Sequence, residues 1–228
     1  MSDYGLNVIN DNSDTQIDST YKNFALYAWG TNLYIESSGG GGDSYRTLVP
    51  FAATTAQPIV MVRPGTNTYV SLMNLKESNG SYSGVWFTAP GPISTYIDVL
   101  IFTAHEPITN IDYGMVVYDG AGQPVYGSND TSFKIYEVQT FNLPTPSTST
   151  GTIVSTNTDP FYIMSPVGYY YVQIGAPVNS SKWFRVGMKK VNSTTVETKW
   201  FVYQALGGNT SAEEGYNPSF FNLVIGGT

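Results

Sequence analysis

Apolar and polar residues alternate with a period of two over many short stretches of this chain, and Gly, Pro, Asn and Asp fall between them. Tyr113, Met115 and Val117 alternate with Gly114, Val116 and Tyr118, the spacing of a strand with two distinct faces. Asp119-Gly120-Ala121-Gly122 then supplies a turn, and Gln123 to Tyr126 begins a return strand, so the pattern predicts a hairpin with glycine at its positive-φ position. Further strands are predicted at Pro58 to Val62, Thr68 to Leu75, Gly84 to Thr88 and Ile97 to Ala104. Pro64-Gly65, Ser78-Asn79-Gly80 and Pro90-Gly91-Pro92 mark turns between them. Others are predicted at Phe161 to Met164, Tyr169 to Ile174, Trp183 to Met188, Trp200 to Gln204 and Phe220 to Ile225. No window carries a helical period.

The pattern also repeats. One constant offset of 109 superposes Asp3-Tyr4-Gly5 on Asp112-Tyr113-Gly114, and Val8, Ser19, Phe24 and Tyr27 on Val117, Ser128, Phe133 and Tyr136. That makes seven identities without a gap, where composition alone predicts about two. Each copy reads as a hairpin followed by a third strand, around Phe24 to Tyr27 and Phe133 to Tyr136. The first copy turns through Asn10-Asp11-Asn12-Ser13-Asp14, whose short polar side chains bond back to the local backbone. The period is too long for a solenoid or a propeller blade. The expected fold is therefore all-β, an antiparallel β-sandwich built from two related halves with little or no helix. The halves are expected at 1–110 and 111–228, with repeat copies at 3–27 and 112–136, closely packed because Pro107 to Ile111 leaves little room for a hinge. Ser37 to Ser44, Pro144 to Gly151 and Gly207 to Ser219 read as loops.

Composition narrows the chemistry. Charged residues are 12% of 228, and the net charge is −7 with ten Lys and Arg, which argues against a nucleic-acid partner. Lys182, Arg185, Lys189, Lys190 and Lys199, interrupted by Glu197, read as a solvated edge strand whose lysines discourage aggregation. Without cysteine there is no disulfide and no thiolate ligand. No apolar run reaches a membrane span and no signal sequence is apparent, so synthesis and folding in the cytosol are expected, without membrane insertion.

Catalytic equipment is not apparent, and no enzyme is expected. The single histidine, His105, has no cysteine partner, and no serine occupies a Gly-x-Ser-x-Gly elbow. Asp11, Asp14 and Asp18 cluster, but the second copy keeps only Asp119, so turn formation accounts for both copies and calcium for one. Glu213 and Glu214 are adjacent in a polar loop, and Gly39 to Gly42 lacks the Lys-Ser/Thr of a phosphate loop. No catalytic, cofactor or metal residue is assigned. The remaining candidates are aromatic. Tyr169-Tyr170-Tyr171 alternates across a strand, and Trp86-Phe87, Trp183-Phe184 and Trp200-Phe201 each put one ring on either face. Trp86, Tyr170, Trp183, Trp200 and Tyr216 are candidates for subunit or glycan contact; a two-layer aromatic core is the alternative.

The run Tyr-Gly-Leu/Met-x-Val-x-Asn/Asp, carried by Tyr4 to Asn10 and Tyr113 to Gly122 and followed by Val125, Ser128 and Phe133 to Val138, resembles small β-structured proteins encoded in the tail and fibre modules of tailed bacteriophages. The chain departs from that pattern in its first turn, which lacks glycine, and at Gly127, where Asp before Ser is common. The resemblance implies a structural virion protein, assembled in the host bacterial cytoplasm. Its place would be as a minor tail, fibre-attachment or receptor-binding component acting by subunit docking. Its expected partners are other virion proteins and further copies of itself, with a host surface glycan as a further one. A capsid decoration protein and a carbohydrate-binding module are the alternative readings.

Overall fold

The computed structural model describes residues 7–9, 15–18, 23–35, 44–90, 95–104, 114–128, 130–142, 150–163, 169–174, 180–206 and 220–227, and contains no helix among them. The first half supplies β1 (Asn7–Ile9), β2 (Thr15–Asp18), β3 (Phe24–Ile35), β4 (Ser44–Thr54), β5 (Ile59–Arg63), β6 (Ser71–Ser78), β7 (Ser81–Pro90) and β8 (Thr95–Ala104). The second supplies β9 (Val116–Tyr118), β10 (Pro124–Gly127), β11 (Lys134–Asn142), β12 (Thr150–Val154), β13 (Phe161–Ile163), β14 (Tyr169–Ile174), β15 (Ser180–Lys190), β16 (Thr195–Leu206) and β17 (Phe220–Gly227).

The sequence repeat is also a repeat of hydrogen bonding. In the first hairpin Asn7, Val8 and Ile9 face Asp18, Ile17 and Thr15. In the second Val116, Val117 and Tyr118 face Gly127, Tyr126 and Pro124. Every pair moves by 109, including the bulge that skips Gln16 and Val125 in the register. Two of the repeated identities acquire reasons in the second copy. Gly114 has φ 144°, which side chains with a Cβ rarely adopt. Ser128 closes the hairpin base: its Oγ accepts from the Met115 N–H at 2.9 Å while its own N–H donates to the Met115 carbonyl. The hairpin turn differs from expectation in one detail. Its left-handed residue is Gly122, φ 77°, not Gly120. The Asp119 carbonyl accepts from Gly122 N–H, and its carboxylate Oδ1 accepts from the amides of Ala121 and Gln123, a type I turn followed by a glycine bulge.

Strand order makes the duplication complete. One sheet runs β3-β8-β5-β13-β17-β11, so β3, β8 and β5 meet their counterparts β11, β17 and β13 in mirror order. The other layer runs β4-β7-β6 and then β15-β16-β12. The two parts join where Val70 and Met188 exchange both backbone hydrogen bonds at 2.8 Å. Only β14, on the flank of β15, lacks a counterpart. The edges of the six-stranded sheet meet at one corner. There Ala25 bridges Ser132, and the Phe133 amide donates to the Phe24 carbonyl. Phe24 and Phe133 are the same position of the repeat, so a local two-fold relation passes between them.

Two clusters hold the layers. Val60, Val62, Ile97, Val99, Ile101, Tyr162 and Ile225 from the six-stranded sheet pack on Val70, Leu72, Val85, Phe87, Ile153, Met188 and Val196 from the opposite layer. Residues of both halves share this core, and each fully buried aliphatic or aromatic side chain contributes about 1.5–3 kcal/mol. The alternate residues Met61, Leu100 and Phe102 form a second cluster on the outer face of the same sheet, with Phe24, Leu26, Ile59, Phe133, Phe161 and Ile163 against it. Phe133 stands edge-on to Phe102 at 5.3 Å between centroids. This explains why β8 is buried on both faces from Val99 to Thr103 and alternates only at its start.

Three expectations are corrected. Ser44–Thr54 is a strand, although the sequence reads as a loop running into it. β4 is an edge strand bonded only to β7, which is where Pro50 costs no ladder bond. Thr150–Val154 is a strand paired with β16, so the predicted Pro144 to Gly151 loop ends sooner. The basic cluster is not on an edge, because β15 lies between β14 and β16, and β16 between β15 and β12. Its described cations are engaged: Lys189 Nζ lies 3.6 Å from Glu197 and Lys190 Nζ 2.5 Å from Asp159. Lys189 and Lys199 flank the Tyr69 ring at 4.8 and 5.9 Å.

Candidate functional site

The outward face of β8 changes character along its length. Phe102 is fully buried, Leu100 nearly so, Asp98 partly exposed and Tyr96 53% exposed. Directly opposed residues on antiparallel strands share a face, so the register extends each position into a row. Val138, Val224, Ile163, Met61, Leu100 and Trp29 form one row across all six strands. Its middle is buried and its ends are not: Trp29 is 71% and Val138 59% exposed. Ile135, Tyr136 and Tyr34 are also exposed on the two edge strands, β11 and β3.

The next row begins a polar cleft. Arg63 faces Asp98 in register and donates to its Oδ2 from Nε at 2.9 Å and Nη2 at 2.6 Å. Asp98 Oδ1 accepts the Asn32 amide at 2.7 Å. That bond stabilises the bulge of β3, where Asn32 takes φ 53°, a value asparagine tolerates better than most residues. Arg63 Nη1 donates to the Asp159 carbonyl at 3.1 Å, and the guanidinium lies 4.6 Å over the Phe161 ring. The Lys190 hydrogen bond holds the Asp159 carboxyl below the ordinary aspartate range despite partial desolvation, with Arg63 adding to the effect. Its stabilising contribution is present above the ordinary aspartate pKa and is lost as pH falls through the lowered one.

Asn32, Arg63, Asp98 and Lys190 line a cleft of about 210 Å³ with Pro64-Gly65-Thr66-Asn67, Thr95 and Tyr96. Gly65 is there by necessity. A Cβ at this position would lie 2.2 Å from the Tyr96 carbonyl oxygen, so only glycine lets the loop close on β8. The Tyr96 ring sits at the mouth, 5.4 Å from its cross-strand partner Tyr34 and tilted by 52°. Thr95, 1% exposed, lies at the floor with a hydroxyl that has no partner among the described residues.

The residues expected from the sequence lie elsewhere. Trp86, on β7, is half-buried beside the fully buried Phe87, so this doublet does place one ring on each face. Tyr170, Trp183 and Trp200 belong to β14, β15 and β16 of one sheet, where Tyr170 is opposite Phe184, Trp183 opposite Tyr171 and Trp200 opposite Val186; their side chains lie outside the described residues. Tyr216, His105, Glu213, Glu214, Asp11, Asp14, Gly39 to Gly42 and the Pro107 to Ile111 connection do so entirely. No group of three His, Cys, Asp or Glu that would hold a metal occurs among the described residues.

Trp29, Tyr34, Tyr96 and the Arg63–Asp98 pair were not singled out from sequence. The pair did leave a signal: Asp98 is the only charged residue in Thr95 to Ala104, and Arg63 the only one in Pro58 to Val62 and the residue that follows. Opposite charges inside two otherwise uncharged strands are the mark of a cross-strand partner. No family model, no curated protein and no solved structure matches this chain.

Proposed function

We propose that this chain is a structural component of a tailed-bacteriophage virion, a minor tail, fibre-attachment or receptor-binding protein that works by docking to other subunits rather than by catalysis. The class comes from the duplicated Tyr-Gly hairpin and its resemblance to tail-module proteins. One observation supports docking: the two ends of the cross-strand row on the outer face, on the edge strands β3 and β11, are exposed apolar side chains. Trp29 and Val138 end the cross-strand row at 71% and 59% exposure. An indole that open to water on a sheet edge is an anchor without its pocket, and tryptophan dominates the energetics of interfaces where it is buried.

Light scattering coupled to size exclusion tests the reading. The chain is expected to form oligomers at micromolar concentration, and Trp29→Lys with Val138→Lys to shift it to monomer without loss of the β circular-dichroism signal. A wild-type monomer that also binds no protein of a phage particle would overturn the proposal.

A further inference from the structure

We infer that the cleft between the Pro64 to Asn67 loop and the start of β8 is a binding site for one neutral sugar ring of an oligosaccharide. The site lies on the same outward face as the docking row, on the following rows of β5 and β8, and the inference stands whether or not the chain assembles.

Size sets the first limit. About 210 Å³ lies below the roughly 300–1,000 Å³ of pockets that hold drug-sized ligands, a size that suits one six-membered ring with its hydroxyls rather than a folded peptide segment. Charge sets the second. The cations of the cleft are matched in place, Arg63 by Asp98 and Lys190 by Asp159. No net field draws an anion, and no uncompensated carboxylate draws a cation. The fitting ligand is uncharged.

The polar groups decide its chemistry. A pyranose presents hydroxyls that both donate and accept, and burying them requires partners of both kinds. Here Asp98 accepts two bonds on Oδ2 and one on Oδ1, which leaves acceptor capacity on Oδ1, and Arg63 uses three of its five N–H groups. The pair is held on three sides, so its remaining donors and acceptors are oriented before any ligand arrives, which lowers the entropy cost of binding. The Asn32 carboxamide and that of Asn67, which accepts a weak bond from Thr66, stand on the rim.

The aromatic pair completes the match. A sugar ring has an apolar face of C–H groups, and that face stacks on exposed aromatic rings. Tyr96 lines the cleft at 53% exposure with its cross-strand partner Tyr34, 47% exposed, beside it, and their 52° tilt forms a shallow cradle rather than the parallel slot that a planar base would need.

The test uses the full chain on an array of neutral and acidic bacterial surface glycans, followed by calorimetric titration of the strongest neutral oligosaccharide. Binding to a neutral glycan is expected, weakened at least tenfold by Tyr96→Ala and several-fold by Asn67→Ala. Tyr118→Ala, which removes a tyrosine of similar exposure on β9, is expected to leave it unchanged. In the wild type, the ring-proton resonances of Tyr34 and Tyr96 should shift on titration. Binding to acidic glycans alone, binding to none, or neutral-glycan binding indifferent to Tyr96→Ala in a variant of unchanged melting temperature would each overturn the inference. The oligomeric state, measured separately, bears only on the docking proposal.

Discussion

Thr88 and Thr95 are the two buried hydroxyls without a hydrogen-bond partner among the described residues, and their settings differ. Thr95 lines a cleft, whereas Thr88 is fully buried in β7, beside Phe87 and Ala89 of the main core. Leaving a buried hydroxyl unpaired costs about 1–3 kcal/mol, and valine keeps the shape without the polar atom. Thr88→Val is therefore expected to raise the urea midpoint by the equivalent of about 1 kcal/mol; a lower midpoint would reveal a partner for the hydroxyl. Tyr162 shows the opposite strategy, a polar group kept neutral. Burial first, and then the carboxylates of Glu137 and Asp159, push its hydroxyl up to about 12. Between pH 10 and 12 the unfolded chain gives up this proton while the folded chain keeps it, so stability falls as pH rises. The loss from this group is on the order of 2–3 kcal/mol. Tyr69 titrates high in the same direction, through burial and then the carboxylate of Glu197. Unfolding of Tyr162→Phe followed from pH 9 to 12 should show a shallower decline than the wild type, with the Tyr69 share remaining.

The junctions between elements lie where the repeat meets itself. β5 pairs with β13 at Val62–Tyr162 and Met61–Ile163, β6 reaches β15 through Val70–Met188, and β3 touches β11 at Ala25–Ser132. The last, like Val70–Met188, is a single bridge, and Phe133 covers it by packing edge-on against Phe102. Removing a partly buried phenylalanine costs about 2–3 kcal/mol, less than the 3–5 of a full core position. Phe133→Ala is expected to lose that much. It should also speed hydrogen exchange at the Leu26 and Phe133 amides, which bond across the seam, more than at Val62 in the central strand. Uniform acceleration would mean that the seam has no separate stability. Tyr27 reinforces the same region by reaching across to the carbonyls of Ala52 and Ala53, which gives one repeated tyrosine a structural reason. Its counterpart Tyr136 lies instead against Gly227 and stays 44% exposed. The two copies thus share backbone register while their side chains serve different surroundings.

At the scale of the molecule, the two layers leave Trp29 and Val138 exposed at the outward margins of the six-stranded sheet. If Trp29 and Val138 are docking anchors, replacing both by lysine desolvates charge against any apolar partner, and self-association should weaken by more than tenfold, read as the concentration at which the oligomer dissociates. The periodicity, the Gly and Pro punctuation and the 109-residue offset were enough to determine an all-β sandwich of two related halves, the hairpins and most of the strands. These are local properties, since alternation and turn chemistry act over a few residues. The sequence hid β4 and β12 because an edge strand tolerates Pro50 and a polar Thr-Gly-Thr run that a central strand would not. It also gave no sign of the cleft or of the exposed Trp29. Adjacent aromatics such as Trp86-Phe87 mark a strand with two faces, but whether either ring meets water depends on what the other sheet covers. Trp29, Tyr34, Tyr96 and the Arg63–Asp98 pair come together only through register between strands 35 to 66 residues apart in the chain. Tertiary structure alone decided these, because burial and cross-strand contact are set by which strands become neighbours, and that choice follows from packing the whole core.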